Sequence, residues 1–191
     1  MSDNSKTKNE IEKDGSELEL EKVEIDEIES WDDLPDIKED LLRGIYSYGF
    51  EKPSPIQKKA ILPIFNKTDI VAQAQSGTGK TGCFTVGVLQ LIDVNLNQTQ
   101  GIILSPTREL SLQIKKVIDS IGTMMKKLKT QLLVGGQSVE TDINELKSNP
   151  HIIIGCPGRV YDMLNRKRLL IDNLKIFVLD EADEMLSYGF K

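Results

Sequence analysis

The sequence predicts an α/β domain built on a parallel β-sheet with helices on both faces. Short runs made only of apolar residues alternate with stretches of helical periodicity, which is typical of strands buried on both sides. A glycine-rich loop follows the first run, and each later run ends in a polar or glycine-containing motif. Because open α/β sheets bind ligands beyond the carboxyl ends of their strands, these motifs are predicted to line one functional edge.

Charge is distributed unevenly along the 191 residues, a length that suits one domain with a sizeable core. Of the net charge of -6, residues 1–30 account for -7, with eleven Asp and Glu against four Lys, and the remaining residues for +1. Residues 1–30 are also poor in aromatic side chains, so we expect a disordered acidic tail. The near-neutral remainder would bind nucleic acid only through a local basic patch.

The two cysteines, Cys83 and Cys156, do not make a disulfide framework and have no partners for a zinc site, which favours a reducing compartment. No apolar run approaches the roughly 20 residues of a transmembrane helix, and the N-terminus lacks a signal-peptide core. We therefore expect a soluble, cytoplasmic protein that does not bind membranes. The single histidine, His151, is expected to pack or face solvent rather than bind a metal.

Two helices are predicted before the glycine loop. The first begins near Pro35, continues through Tyr48 and ends at Gly49, and the second runs to Phe65. Residues 66–69 then read Asn-Lys-Thr-Asp, a pattern that recognises guanine in GTP-binding proteins. In those proteins the pattern follows a late strand, whereas here it precedes the glycine loop, so we interpret it as a turn.

An adenine-reading segment is predicted within residues 31–57. The carboxamide of Gln57 donates and accepts hydrogen bonds at once, which suits the edge of adenine that carries an amino group and a ring nitrogen. Phe50 offers a flat face on which a base can stack. Alone, these residue types are weak evidence for adenine binding; the glycine-rich loop that follows them strengthens the interpretation.

The glycine-rich loop is predicted to bind nucleotide phosphates. A buried strand is expected at residues 70–72, and helical periodicity begins at Lys80. Glycines bring backbone N–H groups close to phosphate oxygens, and the start of the helix adds partial positive charge. Lys80 is expected to reach the terminal phosphates and the Thr81 hydroxyl to bind Mg²⁺, whereas an ordinary glycine-rich turn would not explain this Lys-Thr pair. The loop residues predicted to contact the nucleotide are Ala74, Gln75, Ser76, Gly77, Thr78, Gly79, Lys80 and Thr81.

Four further strands are predicted, with helices between them. The strands are expected at residues 101–104, 131–134, 152–154 and 176–179. The helices that separate them are expected at residues 112–121, 139–146 and 160–164. Each strand thus delivers one motif to the same edge of the sheet.

Carboxylates follow the last predicted strand directly. Asp180 takes the position of the acidic residue that holds Mg²⁺ in phosphate-loop enzymes. Glu181 is expected to act as a general base on a water aligned with the γ-phosphate, and Asp183 to contact neighbouring motifs. The alternative is an ordinary helix N-terminus whose acidic residues complement the helix dipole.

Basic and glycine-containing loops follow the other strands. Arginine side chains and bare glycine N–H groups, here Arg108, Gly135, Gly136 and Arg159, bind phosphodiester oxygens without reading bases. For either arginine alone, a structural salt bridge is an equal alternative. Together these loops predict a strand of nucleic acid that crosses the sheet edge.

The ordered motifs resemble those of DEAD-box RNA helicases over residues 31–191. The motifs that carry the resemblance are Gly49 to Gln57, Ala74 to Thr81, Pro106-Thr107-Arg108-Glu109-Leu110, Gly135-Gly136, Pro157-Gly158-Arg159 and Asp180-Glu181-Ala182-Asp183. The resemblance implies a RecA-like P-loop NTPase domain that uses ATP and Mg²⁺, binds the backbone of single-stranded RNA and unwinds short duplexes locally.

The resemblance also implies roles for individual residues. The catalytic residues would be Lys80, Asp180 and Glu181, with Mg²⁺ held by Thr81 and Asp180, in part through water. Adenine would be bound by Phe50, Lys52, Pro55 and Gln57. RNA would be bound by Pro106, Thr107, Arg108, Gly135, Gly136, Gln137, Cys156, Pro157, Gly158 and Arg159. Two positions depart from the family pattern, since Cys156 replaces the usual Thr, a better phosphate donor, and Trp31 replaces an upstream Phe.

Within the family, residues 42–46, 72–75 and 178–191 are most similar to the helicases of eukaryotic translation initiation. A nuclear helicase of the exon junction is the nearest alternative. The resemblance therefore implies a role in translation initiation, with a scaffold protein of that process as partner.

Residues 58–191 are expected to form an incomplete RecA-like domain. The family's Ser-Ala-Thr motif, the strand leading to it and the second RecA-like domain are absent, so we expect a fragment or truncated product of low activity. In the family that strand lies between the phosphate-loop strand and the strand before Asp180. One alternative is a non-catalytic module that binds scaffold or RNA partners. Another, a GTPase or small-molecule kinase, is disfavoured by the position of residues 66–69.

Overall fold

A four-stranded parallel sheet forms the centre of the computed structural model, which describes residues 27–187. Its strands are β1 (Gly101–Leu104), β2 (Thr130–Leu133), β3 (Ile152–Gly155) and β4 (Ile176–Leu179). The strand order is β2-β3-β1-β4, and every neighbouring pair is parallel. The predicted class, a parallel sheet flanked by helices, is therefore confirmed.

Helices connect and flank these strands. They are α1 (Glu39–Ser47), α2 (Pro55–Phe65), α3 (Lys80–Leu91), α4 (Arg108–Ile121), α5 (Val139–Leu146), α6 (Pro157–Asn165) and α7 (Ala182–Ser187). At the start of α4 the Thr107 hydroxyl accepts a hydrogen bond from the Leu110 N–H at 3.2 Å. At the start of α2 the Ser54 N–H donates to Oε1 of Gln57 at 2.8 Å. Within residues 27–187, every helix is too short or too polar to cross a lipid bilayer.

The start of α1 differs from the prediction. The helix was expected to begin near Pro35, but it begins at Glu39. Asp36 has a φ of 53°, a left-handed conformation that interrupts a right-handed helix. The N–H of Lys38 instead donates to the side chain of Gln90 at 3.1 Å, so this stretch is tied to the far end of α3.

Most of the predicted acidic tail, residues 1–26, lies outside the described residues. Residues 28 and 29 already pack against α2. Ile28 is buried, its N–H donates to the carbonyl of Lys58 at 3.3 Å, and Glu29 pairs with the Lys58 side chain.

Two apolar clusters lie on opposite faces of the sheet, because successive side chains of a strand alternate. Ile103 and Ile152 belong to the first cluster, which the helices α1 to α4 cover, whereas Ile102 and Ile153 belong to the second. The second cluster is covered by α5 and α6, which contribute Leu146, Val160 and Met163. Both faces are therefore covered over the strands β1 and β3.

Residues 70–72 do not form the buried strand that was predicted. Residues 68–75 have no regular secondary structure, and Val71 is fully exposed. In the described part of the chain no strand lies beside them, because β4 is the edge of the sheet. An apolar run forms a strand only where neighbouring strands satisfy its backbone N–H and C=O groups, and here those neighbours are missing.

The outer edge of the sheet, β4, is left partly uncovered. Ile176 and Val178 pack into the first apolar cluster, but Phe177 and Leu179 on the opposite face are 53 % and 51 % exposed. Within residues 27–187, β4 is therefore an edge strand, and residues 70–72 of the phosphate-loop segment do not pair with it.

Candidate nucleotide and nucleic-acid site

The glycine-rich loop leads directly into α3. Gly77 and Gly79 have φ values of 79° and 103°, a conformation that strongly favours glycine. Thr78 folds back on the loop, with its N–H and hydroxyl donating to the carbonyl of Gln75 at 3.4 and 2.7 Å. α3 then begins at Lys80, so the partial positive charge of a twelve-residue helix points at this loop. The arrangement suits an anionic ligand such as a phosphate group.

The acidic motif after β4 meets this loop. The Nζ atom of Lys80 lies 3.8 Å from Oε1 of Glu181, and both side chains are partly exposed. Glu181 has a φ of 51°, which is uncommon outside glycine and typical of strained functional positions. The structure therefore brings Lys80 and Glu181, two predicted site residues 101 positions apart in the sequence, into contact.

Asp180, beside this contact, is 8 % exposed. Burial raises the pKa of its carboxyl group and the charge of Glu181 raises it further, while the Glu181 N–H and the charge of Lys80 act in the opposite direction. A bound cation would offset the cost of burying this charge. Hard oxygen donors such as the Asp180 carboxylate and the Thr81 hydroxyl fit Mg²⁺, which keeps several waters and needs few protein ligands. Residues 27–187 contain no cluster of three or more His, Cys, Asp or Glu side chains arranged as a metal site.

Gln57 joins the adenine-reading segment to the glycine-rich loop. Its side chain is buried; Oε1 accepts from the Ser54 N–H at 2.8 Å, and Nε2 donates to the Gly79 carbonyl at 3.1 Å. One amide proton and one lone pair remain for a base. Lys52 and Pro55, also predicted to contact adenine, are exposed, and Pro55 is the first residue of α2.

Phe50 lies in an aromatic group beside this loop. The Trp31 ring stacks on it with the centroids 6.1 Å apart, and the Tyr48 ring meets it edge-on at 4.9 Å. Below the ring is Gly82, a residue that the sequence analysis missed: a Cβ atom there would lie 2.7 Å from both Phe50 Cε2 and Gln57 Nε2. Because glycine costs about 1 kcal/mol in a helix interior, its presence in α3 was a usable signal of close packing.

Arg108 and Arg159 both contact the loop after β2. Arg108 Nη1 donates to the Gly135 carbonyl at 3.5 Å, and Arg159 Nη2 donates to the Gln137 carbonyl at 3.0 Å. Arg159 also forms an ion pair with Asp142, whose side chain is fully buried. The salt-bridge alternative is therefore realised for Arg159, whereas Arg108 is exposed.

Asp142 is a second residue that the sequence analysis missed. It follows Val139 by three positions and precedes Leu146 by four, so it lies on the apolar face of α5. A charged residue on the apolar face of a helix indicates a buried ion pair, because a buried carboxylate needs a partner. This was the signal in the sequence that could have identified Asp142.

The remaining predicted RNA-binding residues lie at the ends of β1 and β3. Thr107 caps α4 and follows Pro106, and Pro157 and Gly158 form the first turn of α6 after Cys156. The Cys156 N–H donates to the Leu133 carbonyl at 3.0 Å, and its Sγ lies 3.7 Å from Ser111 Oγ. Burial raises the pKa of the Cys156 thiol and Glu109 raises it further, whereas Ser111 lowers it, so the thiol is a poor source of negative charge.

The sequence of this chain is similar to a known protein family and to named proteins. A family model described as DEAD/DEAH box helicase matches residues 54–191. The chain is 52 % identical over 163 residues to eukaryotic initiation factor 4A of Drosophila melanogaster, which covers 85 % of this chain and 40 % of the fly protein. It is 52 % identical over 164 residues to the ATP-dependent RNA helicase eIF4A of Schizosaccharomyces pombe, covering 86 % and 41 % of the two chains. The chain thus spans about 40 % of the length of these relatives.

Solved structures of other proteins also resemble this chain in fold and in sequence. A DEAD box protein of Methanococcus jannaschii superimposes with a TM-score of 0.80 at 41 % identity, covering 86 % of this chain and 44 % of that one. Dbp5 of S. cerevisiae, in a structure bound to RNA and ADP BeF3, superimposes with a TM-score of 0.75 at 37 % identity, covering 85 % and 41 %. In both cases the similarity extends over most of the described fold.

Proposed function

This chain belongs to the DEAD/DEAH box helicase family, and from that premise we propose that it supplies the ATP-binding and part of the RNA-binding surface of an ATP-dependent RNA helicase of translation initiation. The observation that carries the proposal is the contact between Lys80, at the glycine-rich loop, and Glu181, after β4. A phosphate-binding loop that faces a candidate general base is the arrangement needed to hydrolyse a nucleoside triphosphate.

For the nucleotide, we propose that residues 74–81 hold the phosphates and that residues 31–57 hold adenine. Lys80 exchanges its ion pair with Glu181 for contact with the terminal phosphates, which frees the Glu181 carboxylate to take a proton from the attacking water. Thr81 and Asp180 would hold Mg²⁺, which neutralises charge on the phosphates when bound. Gln57 would link adenine to the glycine-rich loop, because its side chain already donates a hydrogen bond to the carbonyl of Gly79.

For RNA, we propose that three loops along the sheet edge hold the phosphodiester backbone. The first follows β1 and contributes Thr107 and Arg108. The second follows β2 and contributes residues 135–137. The third is the start of α6, where Pro157 and Gly158 present a helix N-terminus. Contacts of this kind carry no base specificity, so the RNA sequence would not be read here.

The wider role is proposed from the relatives. Proteins named initiation factor 4A are about half identical to this chain, which supports a cytoplasmic role in translation initiation with a scaffold protein as partner. Residues 58–191 would form the helicase ATP-binding domain. Hydrolysis coupled to duplex unwinding is proposed for the whole protein, since the chain spans only part of the relatives' length.

The test is nucleotide binding by the chain with Mg²⁺, measured by calorimetry for ATP and GTP. We expect ATP to bind in preference to GTP, and Lys80→Ala to abolish binding. Gln57→Ala should remove most of the selectivity, because adenine loses its hydrogen-bonding partner. A preference for GTP would contradict the proposal.

A non-catalytic module is a second candidate, favoured by the uncovered edge of β4 and the exposed residues 68–75. An open strand edge invites pairing with another chain. That function predicts binding of a scaffold or RNA partner that survives Lys80→Ala and Glu181→Gln. Loss of partner binding in both variants would exclude it.

A further inference from the structure

We propose that Arg159 is a positioning residue that, together with buried Asp142, holds the loop of residues 135–137 for RNA binding. The backbone N–H groups of that loop, rather than the Arg159 guanidinium, would then contact the RNA phosphate. This inference rests on the RNA binding proposed above. Within it, Arg159 and Asp142 hold the loop in shape instead of contacting RNA.

The contacts of Arg159 leave little of it available to a ligand. Its Nη1 is paired with Oδ2 of Asp142 and its Nη2 donates to the Gln137 carbonyl, while its side chain is 13 % exposed. Two of the five N–H donors of Arg159 are thus used within the protein, and the Asp142 carboxylate neutralises its charge.

Among residues 27–187, Asp142 has no other partner for its charge. Its side chain is fully buried, and its Oδ1 atom makes no hydrogen bond among the residues that the structure describes. Its backbone is equally constrained, since its carbonyl accepts from Gln131 Nε2 at 3.0 Å and its N–H donates to the Ser138 carbonyl at 3.3 Å. A buried carboxylate is tolerated only while it is paired, so moving Arg159 toward RNA would leave an unpaired charge in the interior.

The loop that this ion pair holds is open to a ligand. A Cβ atom built at Gly135 would meet nothing within 4 Å, whereas one at Gly136, which has a φ of 86°, would lie 2.9 Å from Arg108 Nη1. Across residues 27–187, no acceptor takes a hydrogen bond from the N–H of residue 135, 136 or 137. Successive free N–H groups in such a turn form a concave anion-binding surface, and Arg159 fixes its shape by binding the Gln137 carbonyl.

Arg108 provides the contrast. It contacts the same loop through the Gly135 carbonyl, at a longer distance of 3.5 Å, and it is exposed. No acidic side chain among residues 27–187 pairs with it, so its charge remains available to RNA. A direct phosphate contact releases counterions and adds about 0.7 to the salt slope of single-strand binding, whereas a neutralised arginine adds little.

The experiment measures binding of the chain to a short oligouridylate with Mg²⁺ and a non-hydrolysable ATP analogue, over a series of salt concentrations. The variants are Arg159→Met, Asp142→Leu, the double variant and Arg108→Met as the matched control. The double variant replaces the ion pair by apolar side chains, a change that preserves folding in many proteins. Circular dichroism checks folding of each variant.

We expect Arg159→Met and Asp142→Leu each to weaken binding about tenfold, the scale of one hydrogen bond to a charged group. The double variant should be no weaker than either single variant, and all three should keep the wild-type salt slope. Arg108→Met should lower the slope by about 0.7. Amide hydrogen exchange at residues 135–137 should be faster in the Arg159 and Asp142 variants without RNA, because the loop is released.

Either of two results would overturn the inference. In one, Arg159→Met lowers the salt slope as Arg108→Met does while Asp142→Leu leaves binding unchanged, which would make Arg159 a direct ligand. In the other, loop exchange and RNA affinity are the same in all folded variants. A wild-type chain that binds no RNA at any salt concentration would overturn the proposed RNA binding, and this inference with it.

Discussion

The Nζ atom of Lys80 lies 3.8 Å from Oε1 of Glu181, across the gap between the start of α3 and the start of α7. This ion pair is partly exposed, so it contributes at most about 1 kcal/mol to stability. A triphosphate offers Lys80 a stronger partner, and the exchange would release Glu181. The pair is thus suited to hold the glycine-rich loop and the acidic motif in register and to separate on nucleotide binding.

The two partners should respond differently to substitution. Lys80→Ala should lose the thermal stabilisation that Mg-ATP gives, about 2.7 kcal/mol at a ligand concentration of 100 Kd. Glu181→Gln should keep that stabilisation, because it removes the base rather than the phosphate contact, and in the whole protein it should lose hydrolysis. Thermal melts with and without Mg-ATP, followed by a phosphate-release assay, check both outcomes. Equal loss of nucleotide binding in both variants would contradict these roles.

The close packing of Gly82 should make it essential for adenine binding. In Gly82→Ala the added methyl group would displace Phe50 and Gln57, each of which lies 2.7 Å from the new Cβ position. We expect at least tenfold weaker ATP binding, because both residues proposed to hold adenine move together. Gly158→Ala is the control, since a Cβ there meets nothing within 4 Å. Titration calorimetry gives both affinities, and unchanged ATP affinity in Gly82→Ala would show that the packing is adaptable.

The four strands of the sheet were predictable because their signal is local. Each is a short apolar run bounded by glycine, proline or polar residues, and such a run needs only flanking strands to be satisfied. Residues 70–72 carry the same local signal, yet they form no strand, because no strand within residues 27–187 pairs with them. Strand formation is a property of neighbours, which a local pattern does not report.

The site was predictable in its motifs and not in its contacts. Lys80 and Glu181 were singled out by position relative to strands, and the structure brings them together. The ion pair of Arg159 with Asp142, and the contact of Gly82 with Phe50, depend on how distant segments pack. A sequence pattern offered a salt bridge for Arg159 as an alternative but did not identify its partner.

The open edge of β4 should cause self-association. Phe177 and Leu179 expose apolar surface beside a strand edge that pairs with nothing in the described part of the chain, a combination that favours edge-to-edge pairing. Phe177→Thr with Leu179→Thr should shift the chain toward monomer in sedimentation velocity, because threonine keeps strand propensity and removes apolar surface. Val178→Thr is the matched control, since Val178 packs into the first apolar cluster and its loss should lower stability instead. Identical sedimentation of wild type and double variant would contradict the expectation.

His151 should make the fold sensitive to mild acid. It is the only histidine in the chain and is fully buried, with Nδ1 accepting a hydrogen bond from the Lys129 N–H at 3.0 Å. Burial lowers the pKa of its imidazole below the usual 6.5 and the charge of Lys129 lowers it further, while Asp93 acts in the opposite direction. Protonation at Nδ1 would break the bond to Lys129, so the neutral ring is the form that fits the fold.

The sign of the pH dependence follows from this shift. Between the lowered pKa of the folded state and 6.5, the unfolded chain binds more protons than the folded one, so stability falls as the pH falls through that window. The loss amounts to about 1.4 kcal/mol for each unit of the shift. In His151→Gln, whose carboxamide oxygen can accept from Lys129, the denaturation midpoint should change less across the same window. Urea titrations from pH 7.5 down to 5 compare the two chains, and parallel curves would show that His151 titrates as it does when exposed.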